Sequence, residues 1–164
     1  MRAHPPARRR VATLTALACT LAVALVGCSR GEDPQATLTA FLDGWRSGNL
    51  DRVGFVDAQG NGVAAAEVVE EIRSLSGELV ASPPTLRVSR KPEVSEDLAT
   101  AEITVDWPIG HAVSWTYQSP VQLTRTEGKW RMVWRPAVVH PELTNGDQLG
   151  VRRTPAARAP ILDG

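Results

Sequence analysis

The pattern of apolar and polar residues changes twice along the chain. Residues 11–26 form an uncharged apolar run. From residue 34 to about residue 75, apolar side chains recur every three or four positions, which predicts amphipathic helices. From Pro83 onward they alternate with polar residues, which predicts strands. Helices followed by strands indicate an α+β domain, with the helices packed on one face of a curved antiparallel sheet.

The helical part has clear start and stop signals. Asp33-Pro34 is typical of a helix N-cap followed by proline at the first helical position. Residues 47–49 (Ser-Gly-Asn) end this helix. We expect a short helical turn over 50–57 and another helix over 63–75. The first helix carries an apolar stripe at i, i+3, i+4 and i+7, formed by Leu38, Phe41, Leu42 and Trp45.

Four later segments alternate with a period of two. They cover residues 86–88, 99–107, 113–123 and 130–134, and a Thr-Glu-Gly-Lys turn at 126–129 precedes the last one. Strands with short turns and one polar face are typical of an antiparallel meander.

The N-terminal segment has the features of an export signal. Residues 1–10 are basic, and the apolar run over 11–26 is shorter than the ~20 residues of a membrane-spanning helix. The run ends in Leu25-Val26-Gly27-Cys28, which resembles a bacterial lipobox. The resemblance implies a lipoprotein signal peptide over residues 1–27.

Cys28 would then be the lipidation site, with residues 28–33 as a short tether. This predicts an exported protein, bound to the outer face of the cytoplasmic membrane through its lipid. The alternative is that Cys28 is a core cysteine at the end of a buried helix. Cys19 lies inside the signal and would be removed, so we expect no disulfide and no cysteine metal site.

The charge balance supports this division. The whole chain has 18 Lys+Arg and 18 Asp+Glu. Without the four Arg of residues 1–27, 14 basic groups face 18 acidic ones, a net charge of −4. A mildly acidic chain without a basic track argues against a nucleic-acid partner. We also expect no metal and no cofactor, because no histidine or carboxylate cluster and no phosphate-binding loop occurs.

The C-terminal third resembles a known family. Residues 128–136 (GKWRMVWRP), 138–143 (VVHPEL) and 146–147 (GD) are similar to the N-terminal domain of lipoprotein-type class B penicillin-binding proteins, which include the methicillin-resistance protein. Met132 before Val133 is a minor departure. The resemblance implies a nuclear-transport-factor-2-like cone over residues 34–147.

The family further implies a non-catalytic spacer that serves peptidoglycan synthesis and has cell-wall synthesis proteins as possible partners. Residues 158–164 are similar to the opening of the family's next domain, with Ala159 in place of glycine. We therefore expect residues 148–164 to be a linker and the start of a missing neighbour.

Two of the three catalytic motifs of a penicillin-binding transpeptidase are not found in this sequence. The reaction needs Ser-x-x-Lys, Ser-x-Asn and Lys-Thr-Gly. Residues 47–49 match Ser-x-Asn, but the end of the first helix explains them. The only lysines are Lys91 and Lys129; neither has a serine three residues earlier, and no Lys-Thr-Gly occurs. We therefore expect no catalytic residue and no enzyme activity of this kind.

A cone fold can nevertheless enclose a pocket. Asp106 between Val105 and Trp107 could act as a general base in an apolar cavity, and Trp107 with Trp115 could form a ligand-stacking wall. The alternatives are a solvated strand residue and core packing. A stand-alone envelope lipoprotein that binds a partner or a small ligand in its cone therefore remains the alternative function, and an enzymatic cone domain remains another.

Overall fold

The computed structural model describes residues 33–110, 112–152 and 154. This part contains two α-helices, six β-strands and two short 3₁₀ turns, Gly77–Ala81 and Pro136–Val138. The elements in chain order are α1 (Pro34–Ser47), β1 (Phe55–Val56), β2 (Gly62–Val63), α2 (Ala65–Ser76), β3 (Thr85–Ser95), β4 (Leu98–Gly110), β5 (Val113–Thr126) and β6 (Lys129–Val133).

The strands form one sheet in the order β2-β1-β6-β5-β4-β3. Strands β3 to β6 are the predicted antiparallel meander. Strand β1 pairs parallel with β6 and antiparallel with β2, so the sheet is mixed. The α+β class and the helix-on-curved-sheet arrangement are confirmed, while the sheet has two short strands more than the sequence pattern predicts.

The helical turn expected over residues 50–57 is wrong for its second half. Phe55 and Val56 form β1, and both are buried. The amide groups of Met132 and Trp134 donate to the carbonyls of Gly54 and Val56, each at 2.8 Å. A one-turn helix has only marginal stability on its own. Pairing with β6 gives this segment a more stable alternative, because it satisfies backbone donors that would otherwise be buried without partners.

Helix α1 begins and ends where the sequence predicts. The Asp33 carboxylate accepts a hydrogen bond from the Gln35 amide at 2.9 Å, which caps the helix. Gly48 ends it in the left-handed conformation, with φ 72°. The predicted apolar stripe is buried against the sheet.

Helix α2 starts two residues later than predicted, because Gly62 and Val63 pair with β1. Its buried side chains are Val68, Ile72, Leu75 and Ser76.

The core fills the space between the helices and the inner face of the sheet. Odd-numbered residues of β4 from Ala99 to Trp107 are buried, as the alternation predicts. Aromatic rings continue this core from Phe41 through Phe55 to Trp134, with edge contacts at 6.1 and 6.4 Å between centroids. The sheet thus presents its apolar face to the helices and its polar face outward.

The segment after β6 returns to this core. Val138, Val139, Leu143 and Leu149 are buried. The Leu149 amide donates to the Leu75 carbonyl at 2.8 Å, which joins the segment to the end of α2. We call residues 136–149 the C-terminal strap.

Candidate functional site

A cavity of about 310 Å³ lies between the C-terminal half of α1, helix α2 and the segment that enters β3. Trp45 and Leu50 line it from the α1 side, Val69 and Ile72 from α2, and Trp107 from the sheet. The helix periodicity places these side chains, because each helix turns its apolar face towards the sheet.

The charged residues that line this cavity are two arginines. Arg46 Nη1 donates to Asp43 Oδ1, and its Nη2 donates to the Leu86 carbonyl, both at 2.6 Å. The second contact joins α1 to β3. Arg73 pairs with Glu70 one turn earlier on α2. Both guanidinium groups stay partly accessible, since the side chains of Arg46 and Arg73 are 43% and 54% exposed.

The hydroxyl groups that line the cavity are used inside the protein. Ser76 Oγ donates to the Ile72 carbonyl at 2.7 Å, and Ser47 Oγ donates to the Gly44 carbonyl at 3.2 Å. No histidine, cysteine or carboxylate lines the cavity among the described residues. This chemistry suits binding and supplies neither a nucleophile activated by a base nor a general base.

Trp107 begins a hydrogen-bonded chain behind the cavity. It is 1% exposed, and its Nε1 donates to Tyr117 Oη at 2.9 Å. Tyr117 Oη in turn donates to the Val139 carbonyl at 2.6 Å. Burial raises the pKa of Tyr117 to about 12, although the hydrogen bond from Trp107 acts in the opposite direction. The chain fastens the C-terminal strap to the sheet.

An aromatic cluster covers Tyr117. The ring of Trp115 lies 4.8 Å from that of Tyr117, and the His140 ring lies 5.1 Å from Trp115 and 4.5 Å from Tyr117. His140 Nδ1 accepts a hydrogen bond from the Glu142 amide at 3.3 Å. The cluster packs the strap against the sheet.

The three residues of the sequence-predicted pocket do not line a single cavity. Trp107 and Trp115 are cross-strand partners and share the inner face. Asp106 pairs with Thr116 on the other face, where Thr116 Oγ1 donates to its carboxylate at 2.9 Å. A period of two sends neighbouring side chains to opposite faces. Of the three, only Trp107 reaches the cavity described above.

Three cavity residues, Trp45, Arg46 and Arg73, are not among those predicted from the sequence. A sequence signal exists for Trp45, since it is the last member of the apolar stripe and lies in the last turn of α1. The two arginines carry none, because exposed arginines near helix C-termini are common for electrostatic reasons.

The remaining predictions from the sequence concern metals and the N-terminus. Within residues 33–110, 112–152 and 154, no three metal-ligating side chains gather. None of the helices in these residues combines the length with the apolar character of a membrane-spanning segment. The signal peptide over 1–27, Cys28 and most of the tether lie outside the described residues.

Tyr117→Phe is expected to lower the free energy of unfolding by about 1–3 kcal/mol, because Trp107 Nε1 loses its acceptor and the Val139 carbonyl its donor. Chemical denaturation at neutral pH measures this loss. Thr116→Val, on the outer face, is the control and should lower the free energy of unfolding by a smaller amount. An unchanged denaturation midpoint in the Tyr117 variant would show that the hydrogen-bonded chain adds nothing to stability.

The raised pKa of Tyr117 makes the stability of the fold depend on pH. The neutral phenol is favoured in the folded state, so its stabilising contribution is complete below the ordinary pKa of 10.0 and is lost as the pH rises towards about 12. Tyr117 is the sole tyrosine. The near-ultraviolet absorbance of the phenolate therefore reports its titration directly.

Two helices packed on a curved mixed sheet, with a cavity between the layers, define an NTF2-like domain. Residues 33–147 match the NTF2-like N-terminal transpeptidase domain family (MecA_N), and the chain belongs to this family. The match confirms the resemblance seen in residues 128–147.

The chain is similar to the solved structure "Rd1NTF2_04 with long sheet", which is 14% identical, with 61% of this chain and 94% of that chain covered and a TM-score of 0.44. An NTF-2-like protein of unknown function from Shewanella oneidensis MR-1 is 13% identical, with 59% and 88% covered and a TM-score of 0.38. None of the curated proteins compared with this chain matches it.

Proposed function

We propose that this protein is the membrane-anchored, non-catalytic spacer domain of a penicillin-binding protein that works in peptidoglycan synthesis. Its membership of the NTF2-like N-terminal transpeptidase domain family carries the proposal. The role is positional: a lipid on Cys28 holds the chain at the outer face of the cytoplasmic membrane, and the folded domain sets the height of a transpeptidase module.

The attachment of the C-terminal strap supports a spacer role. Ser119 Oγ donates to the Ala137 carbonyl at 3.1 Å, and Tyr117 holds Val139 as described above. The Leu149 amide closes the strap onto α2. These contacts span the strap, so its end is fixed against the sheet and the end of α2. A spacer needs a firm attachment of this kind to set a distance.

The chemistry of the domain supports a non-catalytic role. The sequence lacks Ser-x-x-Lys and Lys-Thr-Gly. The polar side chains of the cavity are engaged in hydrogen bonds within the protein. The net negative charge after residue 27 is also the wrong sign for a nucleic-acid partner.

Cys28→Ala is expected to abolish incorporation of labelled palmitate and to remove processing of the signal peptide in a lipoprotein-processing bacterium. A lipobox cysteine supplies the thiol that receives the lipid, and the added acyl chains give lasting anchorage. Metabolic labelling followed by electrophoresis measures both effects.

Cys19→Ala is the matched control, because that thiol lies inside the signal and its loss should leave labelling intact. Palmitate that still enters the Cys28 variant would contradict the anchoring proposal. Fluorescent penicillin applied to the same samples should not label the chain. Stoichiometric labelling by penicillin would contradict the non-catalytic role.

A further inference from the structure

We propose that the cavity between α1 and α2 is a binding site for a small amphipathic monocarboxylate, whose apolar part enters the cavity while its carboxylate meets Arg46 and Arg73. This site is additional to the spacer role and does not depend on it. The spacer proposal rests on the family and on the attachment of the strap, whereas this one concerns the cavity between the two helices.

The interior of the cavity favours an apolar group. Aromatic and aliphatic side chains of Trp45, Leu50, Ile72 and Trp107 form its walls. Pro83 and Pro84 add a stiff wall on the side of β3. The volume of about 310 Å³ lies at the lower end of the range of roughly 300–1,000 Å³ for small-molecule sites. A ligand with one ring or a short chain therefore suits the space.

The rim favours a negative charge. Arg46 is held in place by the Leu86 carbonyl, so its guanidinium is already positioned and loses little freedom when a ligand binds. A guanidinium has more N–H donors than these contacts use. Among the described residues, the partner of Arg73 is the exposed Glu70 on its own helix, and exposed pairs of this kind are weak. Carboxylates match guanidinium donors in a planar, two-bond geometry.

The surrounding charges limit the ligand to one negative charge. Asp43 and Glu70 lie beside the two arginines and partly neutralise them. A phosphate monoester or a polyanion would be repelled by these carboxylates and would find only two cations among the lining residues. A single carboxylate can share the arginines with their present partners.

The probe for this site is 4-phenylbutyrate, with 4-phenylbutanamide as its uncharged isostere. Calorimetric titration of the full chain in nanodiscs of zwitterionic lipid, with empty nanodiscs as the blank, measures both affinities. We expect saturable one-site binding of the acid and roughly tenfold weaker binding of the amide. A charge-assisted hydrogen bond is stronger than a neutral one, and the free-energy difference between them corresponds to about tenfold in affinity.

Variants assign the binding to this cavity. Arg73→Gln should weaken binding of the acid roughly tenfold and leave the affinity for the amide unchanged. Arg52→Gln is the matched control, because Arg52 lines a different groove beside β6, and it should change neither affinity. Val69→Trp fills the cavity and should abolish binding of both probes, with circular dichroism confirming the fold.

Each other result overturns the proposal. Equal affinities for acid and amide would show that the arginines do not select a carboxylate. An equal loss of affinity in the Arg52 variant would show that the acid binds elsewhere or without specificity. Undiminished binding in the Val69 variant would exclude this cavity, and the lack of any saturable binding of the acid would exclude the site.

Discussion

Trp107→Ala is expected to lower the free energy of unfolding by about 3–5 kcal/mol, the range for large aromatic truncations in a core. Trp107 is 1% exposed and is among the largest fully buried side chains. The substitution removes its ring from the contact between sheet and helices, and it also leaves Tyr117 Oη without the Nε1 donor. Both effects act in the same direction.

Denaturant unfolding followed by circular dichroism measures this change. Trp115→Ala is the control, because Trp115 is its cross-strand partner on the same face but is only partly buried. We expect a clearly smaller loss there. Trp107→Phe should lie between the two, since it keeps a ring but loses the N–H. Equal losses at positions 107 and 115 would contradict the central place of Trp107 in the core.

Gly77→Ala is expected to lower the free energy of unfolding by more than the conformational cost of its backbone alone. Gly77 has φ 51° and ψ −126°, a conformation that costs other residues about 1–3 kcal/mol. A Cβ at this position would also lie 2.3 Å from the Leu149 carbonyl oxygen. The methyl group therefore has to displace the C-terminal strap, with loss of the hydrogen bond from the Leu149 amide to Leu75.

Gly48→Ala separates the two contributions. Gly48 also has a positive φ, 72°, but a methyl group added there would meet no atom within 4 Å. It should show the conformational cost alone, so the Gly77 variant should lose clearly more stability. Hydrogen exchange of the Leu149 amide should accelerate in the Gly77 variant and remain slow in the Gly48 variant. Slow exchange in both would contradict displacement of the strap.

Local signals were enough for helix α1 and the strands of the meander. The Asp33-Pro34 start and the Gly48 end of α1 depend on hydrogen bonds within a few residues, so their sequence positions determine them. The alternation along β4 from Ala99 to Trp107 likewise predicts which face is buried. The turn at 126–129 is local too, and it places β6 beside β5.

Distant partners decided the remaining features of the fold. Phe55 and Val56 become a strand because the free edge of β6 lies beside them, more than seventy residues later in the chain. Leu149 is buried because Gly77 leaves space for its carbonyl. Neither relation leaves a periodic pattern in the sequence.

The candidate site shows the same division. The alternation along β4 already predicts that Asp106 and Trp107 lie on opposite faces of the sheet. The resemblance in residues 128–147 correctly indicates the family. Which helix residues face Trp107 depends on how α1 and α2 cross the sheet.

The α+β class, the family resemblance and the inner and outer faces of the meander can be predicted from the sequence, because they follow from local periodicity and short motifs. The mixed sheet, the strap closed onto α2 and the cavity between Trp45, Trp107 and the two arginines become visible only in the folded chain. Those features arise where the chain packs against remote parts of itself, and packing of that kind depends on three-dimensional shape rather than on spacing along the sequence.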